Sequence, residues 1–434
     1  MARGKDLRGD PLTTTDILGF AAFLLLPLFG LTIWRLDGVR RLDLAARVVI
    51  AGAVGALAVA IVLALLTITG IQWTRATVII VLVIVAGTGF VAIRGKRTLS
   101  HRNAGGAALF AISVIAIVVI YGLLTARMSA GDLHFFWGPK SILFFQSGGV
   151  KLSVLTSTIH RYMNPDYPLL LPLLYSWSQI VSRQFSWWAA LLAAGVFMFG
   201  SVIVLRSTSG DNAVAGLMAA ALGYTVARSY AAGAAEPLLL LFETLTLCAL
   251  VFVEDERTQM ILAALGLAGA AATKIEGATF AIAVVIALIV VKRDLKRAVL
   301  IGAPAGFVVA GWLWFVTAYD ITIVYHGGTM PIFLEVIPQT LVEIVKAAQY
   351  GIYWLPWLAA IALIAAGSAR RAALPIVVTL LTTAAAVFFY IHVPDPSWWI
   401  ASSAPRVLLT PLCCLLIAAA ASRPSPPRAA DAVC

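Results

Sequence analysis

One feature limits this chain more than any other: uninterrupted apolar runs of about 18 residues or more recur along it from end to end. Each run is long enough to cross the hydrocarbon of a bilayer as a helix. Backbone polar groups in lipid must be satisfied within the structure, which leaves a helical bundle or a closed barrel. The runs are continuous rather than alternating, and that selects helices. Over 434 residues, 61% are hydrophobic, 12% are charged and the mean hydropathy is +0.97, which excludes a soluble domain. The expected fold class is therefore all-α, a polytopic transmembrane helical bundle.

Candidate spans lie at 16–34, 45–69, 76–93, 104–126, 186–205, 212–228, 237–253, 259–273, 277–291, 298–318, 350–366, 373–391 and 407–421. This gives about 13 spans, with ends uncertain by ~2–4 residues. A further apolar stretch at 167–180, "YPLLLPLLYSWSQI", is short and carries prolines near its start. The net charge of +11 sits in short loops between spans, so it reads as the positive-inside bias of a membrane protein and not as a nucleic-acid surface. Basic clusters at 34–41, 93–102, 291–297, 368–371 and 422–428 fall on one side only if 167–180 does not cross, so that segment is expected to be juxtamembrane or re-entrant. The chain then starts outside and ends inside. Cys248, Cys413 and Cys414 fall in apolar helices and Cys434 ends the chain, so no disulfide framework is expected. The first 16 residues show no removable signal peptide.

This topology collects on the outer face Asp132, Lys140, His160, Arg161, Asp166, Arg228, Glu236, Lys274, Glu276, Asp320, His326, His392, Asp395 and Arg406. Ionisable groups near hydrocarbon are costly and tend to face a cavity or one another. Four stretches carry them: "GDLHFFWGPK" (131–140) with "HRYMNPDYPLLLP" (160–172), "ARSYAAGAAEPLLLLFE" (227–243), "ATKIEG" (272–277) and "SSAPRVLLTP" (402–411). Each has a plain alternative. Glu236 before Pro237 suits the first turn of a helix, Arg406 can reach toward headgroups, and Phe135, Phe136 and Trp137 suit an interfacial belt. Their gathering on one face is what suggests a site.

These stretches resemble the GT-C superfamily of membrane glycosyltransferases, particularly its protein O-mannosyltransferase and aminoarabinose transferase branch. That family has an early outer loop with a catalytic acid followed by a "YPP"-type segment; here Asp132 precedes "DYPLLLP" (166–172). "ARSYAAGAAEP" (227–237) is similar to the acidic stretch of oligosaccharyltransferase catalytic subunits, and "ATKIEG" to the "TK-x-x-G" turn of the mannosyltransferase-like branch. The resemblance covers most of 104–421, leaving 1–103 as added transmembrane helices and 422–434 as a cytoplasmic tail. The chain departs from the pattern where Leu133 follows Asp132 and where the double proline becomes Pro168–Leu169.

The resemblance implies an inverting enzyme that moves a hexosyl or pentosyl group from a polyprenyl-phosphate donor to a glycan, lipid or protein acceptor. It implies a multi-pass protein of the plasma (inner) membrane, with its active site facing the periplasm or exterior and with membrane lipids, but no nucleic acid, as partners. Asp132 is then the general base. Arg228, Lys274, Arg406 and, more weakly, Lys140 are donor-phosphate ligands. Glu236, Glu276, His160, Asp166 and Tyr167 remain to assist the acceptor or a metal. No cofactor is required by the residues, and a divalent cation is left open because the acids are scattered and no His cluster has ligand spacing. Loop 319–349, with "YHGGTMP" (325–331), is expected to act as a lid. The alternatives are a lipid-linked glycan ligase or polymerase and, in another class, a multi-pass transporter.

Overall fold

A computed structural model describes residues 13–93, 131–227, 233–323, 333–350, 354–392 and 396–423. Among them every regular element is a helix. Seven helical stretches among the described residues are long and apolar enough to cross a membrane: Thr14–Arg35, Leu44–Ile68, Trp187–Ser209, Ile275–Lys292, Leu295–Ala318, Ala369–Tyr390 and Ser397–Ser422. The expected span at 104–126, the glycine-bearing part of the lid, Arg228, His326 and Asp395 lie outside the described residues.

The helices used below are α1 (Thr14–Leu24), α2 (Leu44–Ile68), α3 (Arg75–Ile93), α4 (Gly138–Ser147), α5 (Leu170–Ser182), α6 (Trp187–Ser209), α7 (Asn212–Ala227) and α8 (Glu236–Phe252). They continue as α9 (Glu256–Thr273), α10 (Ile275–Ala287), α11 (Leu295–Ala318), α12 (Ile337–Tyr350), α13 (Leu355–Ala366), α14 (Ala369–Tyr390), α15 (Pro396–Val407) and α16 (Leu409–Ser422).

Burial ranks these helices. In α6, 89% of the apolar window is enclosed by protein, against 17% in α11, so α6 is central and α11 peripheral. Around α6, α8 packs against α9 and α16, and α16 against α14. Lipid tails are as apolar as leucine, so close packing and not water exclusion must hold such helices together. Gly55 illustrates this on α2: a Cβ there would stand 1.8 Å from the Leu26 carbonyl oxygen, so the two backbones touch.

Two expectations change in detail. The 167–180 stretch forms α5, whose 13 residues span only ~20 Å. It does not lie on the surface. It is enclosed by α1, α2 and α4, with Trp177 Nε1 donating to the Ala22 carbonyl (2.9 Å) and Ser178 Oγ to the Gly19 carbonyl (2.9 Å). Part of the expected lid, in turn, is not loop: it holds α12, a strongly amphipathic helix packed on α15.

Candidate active site in a membrane cavity

The last apolar stretch begins about ten residues before the expected 407, because α15 and α16 form one candidate span, Ser397–Ser422. Pro405 lies inside α15, and the helix breaks at Leu408. Pro411, early in α16, has no N–H for the Val407 carbonyl and crowds the turn before it, which accounts for a break here. Arg406 therefore sits at a discontinuity within the span and not at its outer end.

Asp132 is placed by a second irregularity. Pro139 has no N–H to offer the helical ladder, and the turn before it widens into a π-helix over Leu133–Trp137, with the Gly138 N–H bonding the Leu133 carbonyl. Lys274 is set by a third. It is extended (φ −158°, ψ 159°) between α9 and α10. Gly277 lets α10 fold back there, since a Cβ would lie 1.9 Å from the Ala270 carbonyl oxygen. Glu236 opens α8 with Pro237 behind it, as expected for a first turn.

These elements bring five ionisable side chains together. Lys274 Nζ binds Glu236 Oε1 at 2.9 Å and Glu276 Oε1 at 2.8 Å. Arg406 Nη1 binds Asp132 Oδ2, and its Nε lies 3.9 Å from Glu236 Oε1. The order Asp132, Arg406, Glu236, Lys274, Glu276 alternates in sign throughout, so each buried charge has a counter-charge. Burial opposes the charge on Lys274, but Glu236 and Glu276 outweigh it and hold the ammonium well above the usual lysine range.

Asp132, Lys274, Glu276 and Arg406 line a cavity of about 780 Å³. Much of the remaining wall is aromatic, with Phe136, Tyr167, Phe389, Trp398 and Trp399. Glu236 lies behind this wall. Tyr167 faces the cavity with its hydroxyl held in the protonated form by burial and by Glu276. The remaining candidates sit apart from the cavity lining. Lys140 is fully buried, donates to the Asn164 carbonyl (2.7 Å) and lies over the Trp137 ring. The Asp166 carbonyl receives Trp312 Nε1 at 2.7 Å, and His160 is half-buried in a short 3-10 turn. Lys140 thus stands apart from the cavity lining, with its amine donating to the chain's own backbone.

Among the described residues no three His, Cys, Asp or Glu side chains converge, and the carboxylates of Glu236 and Glu276 share the Lys274 ammonium.

Two groups at this cavity have no role in the sequence reading: His392, which that reading does place on the outer face, and Glu243, which it omits. His392 lines the cavity, with its Nδ1–H donating to the Phe388 carbonyl at 2.6 Å. Glu243 lies beneath it and accepts from Thr410 Oγ1 at 2.8 Å. A readable signal existed for Glu243, a lone acid seven residues after Glu236 in an otherwise apolar helix. No family model, no curated protein and no solved structure matches this chain.

Proposed function

We propose that the chain is an inverting glycosyltransferase of GT-C type, moving a sugar from a polyprenyl-phosphate donor to an acceptor at the outer face of the membrane. The observation that carries this reading is the convergence of Asp132, Glu236, Lys274, Glu276 and Arg406, from four separated parts of the sequence, at one wall of an aromatic-lined cavity. The finer picture belongs to the same proposal: about 13 spans in all, a catalytic core over 104–421, and a cytoplasmic carboxyl end in a plasma membrane.

The chemistry assigned to the site balances as follows. The acceptor hydroxyl oxygen attacks the anomeric carbon, the bond from that carbon to the phosphate oxygen breaks, and Asp132 takes the hydroxyl proton. The leaving phosphate gains negative charge, and Arg406 and Lys274 are the cations on the cavity wall to meet it. Arg228 remains a further candidate by sequence alone. The aromatic wall offers flat apolar faces to the C–H side of a sugar ring and to a prenyl chain.

The test uses cells lacking the gene, restored with wild type or Asp132→Asn, and weighs their polyprenyl-phosphate lipids by mass spectrometry. The expected result is a sugar-bearing lipid that builds up in the deletion and with Asp132→Asn but not with wild type, with turnover lowered about 10²-fold or more by the substitution. Equal lipid pools in all three strains would overturn the proposal. A transporter is then the second reading, and one observation favours it: charged side chains at a broken helix are a usual way to build a substrate site within a membrane.

A further inference from the structure

Glu243 has no part in the transfer chemistry above, yet its surroundings are specific. It lies two turns beyond Glu236 on α8, ~10 Å deeper along the helix axis. Only 2% of the residue is exposed. Thr410 Oγ1 donates to its Oε2, while Oε1 is buried with no hydrogen-bond partner among the described residues. No lysine or arginine among the described residues lies within ion-pair distance of it. The charged groups that face it are Glu236, Lys274 and Glu276 from the cavity side. Cys413 and Cys414 on α16 face it too, with Cys248 of α8 beside them. An ionised carboxylate held there by a single neutral hydroxyl is costly, whereas a protonated carboxyl is tolerated. Thr410 is shared between two environments: the same side chain that touches Glu243 lines the cavity.

We infer that Glu243 is a carboxylic acid, protonated at rest, that exchanges its proton with the cavity through the Thr410 hydroxyl. In the resting acid the hydrogen of the Oε2–Oγ1 contact lies on Oε2, which donates to Thr410; outward, it passes to Thr410 Oγ1 as Thr410 passes its own proton to a water or phosphate oxygen in the cavity. The carboxylate left behind is reprotonated by the reverse route. Thr410 ends unchanged, and one proton has moved. The inference does not depend on the sugar reading, since a transporter cavity offers the same path.

The test reads the carboxyl directly and needs no substrate. Infrared difference spectra of the full chain in lipid nanodiscs, wild type against Glu243→Gln, are expected to lose a carbonyl stretch of a protonated carboxylic acid. On transfer to D2O that band shifts. Thr410→Val is expected to slow the shift roughly tenfold or more, and Thr410→Ser to keep the wild-type rate. The two Thr410 variants retain Glu243, so they report the route even where Glu243→Gln fails to fold. Loss of carboxylate bands in Glu243→Gln, or a wild-type exchange rate in Thr410→Val, overturns the inference.

Discussion

Lys140 and Lys274 are both buried, with 0% and 7% of the residue exposed, yet their environments drive them in opposite directions. Lys274 meets two carboxylate oxygens and stays charged. Lys140 meets a backbone carbonyl and an indole ring, and burial pushes its ammonium down to about 7 while Asp166 pulls the other way. One lysine faces the cavity and is offset by acids; the other is sealed into the chain that folds over 160–169. Burial alone therefore does not mark a functional lysine. What marks it is a pair of compensating charges at a wall that a ligand can reach.

The sharpest way to break this contrast is Lys274→Met. It leaves Glu236 buried with only the Arg406 guanidinium at 3.9 Å, and the expected loss of stability is ~3–5 kcal/mol in detergent-solubilised unfolding. A loss under about 1 kcal/mol would mean that Arg406 alone suffices for Glu236 and that Lys274 is no more structural than Lys140.

Lys140→Met should have a smaller, pH-dependent effect. Between about 7 and 10.5 the unfolded lysine holds its proton while the folded one has given it up, so the unfolded state binds more protons and stability rises with pH. Melting temperatures measured across that window are expected to climb more steeply for wild type than for Lys140→Met. Parallel curves would show that Lys140 stays charged in the fold, as Lys274 does.

The mildest change is Trp312→Phe, which removes the donor to the Asp166 carbonyl and keeps the ring stacked on Phe315. About 1 kcal/mol of stability should be lost, with the cavity chemistry intact. A fall in turnover without a fall in stability would instead tie the sealed region to the reacting one.

Much of the architecture is legible in the sequence because long apolar runs have few solutions in lipid. The runs at 45–69, 277–291 and 298–318 overlay Leu44–Ile68, Ile275–Lys292 and Leu295–Ala318 closely. Hydropathy fails where it must separate lipid from protein as the apolar neighbour. That is why 167–180 reads only as juxtamembrane or re-entrant, without a sign that α1, α2 and α4 enclose it. It fails again over "PSWWIASSAPRV", whose serines and prolines read as loop although the backbone is helical.

The site divides in the same way. Asp132, Glu236, Lys274, Glu276 and Arg406 can be gathered by topology, because each lies at or near the end of an apolar run. Their pairing cannot, since it depends on a π-turn before Pro139 and a break before Pro411. Lys140 shows the same limit: sequence order places it eight residues from Asp132, yet only Asp132 lines the cavity.

The contact of Gly277 with Ala270 bears on how the cluster moves. Lys274 stands at the apex of a hairpin whose two arms meet backbone to backbone, so its anchor has almost no independent freedom. A lysine on a loop could swing; this one is mounted like a fixed electrode between two long rods. Any sizeable shift of its backbone anchor relative to Glu236 requires α9 and α10 to move together against α8. The positive charge on the cavity wall is thereby mounted on the packing of two helices and not on a loop.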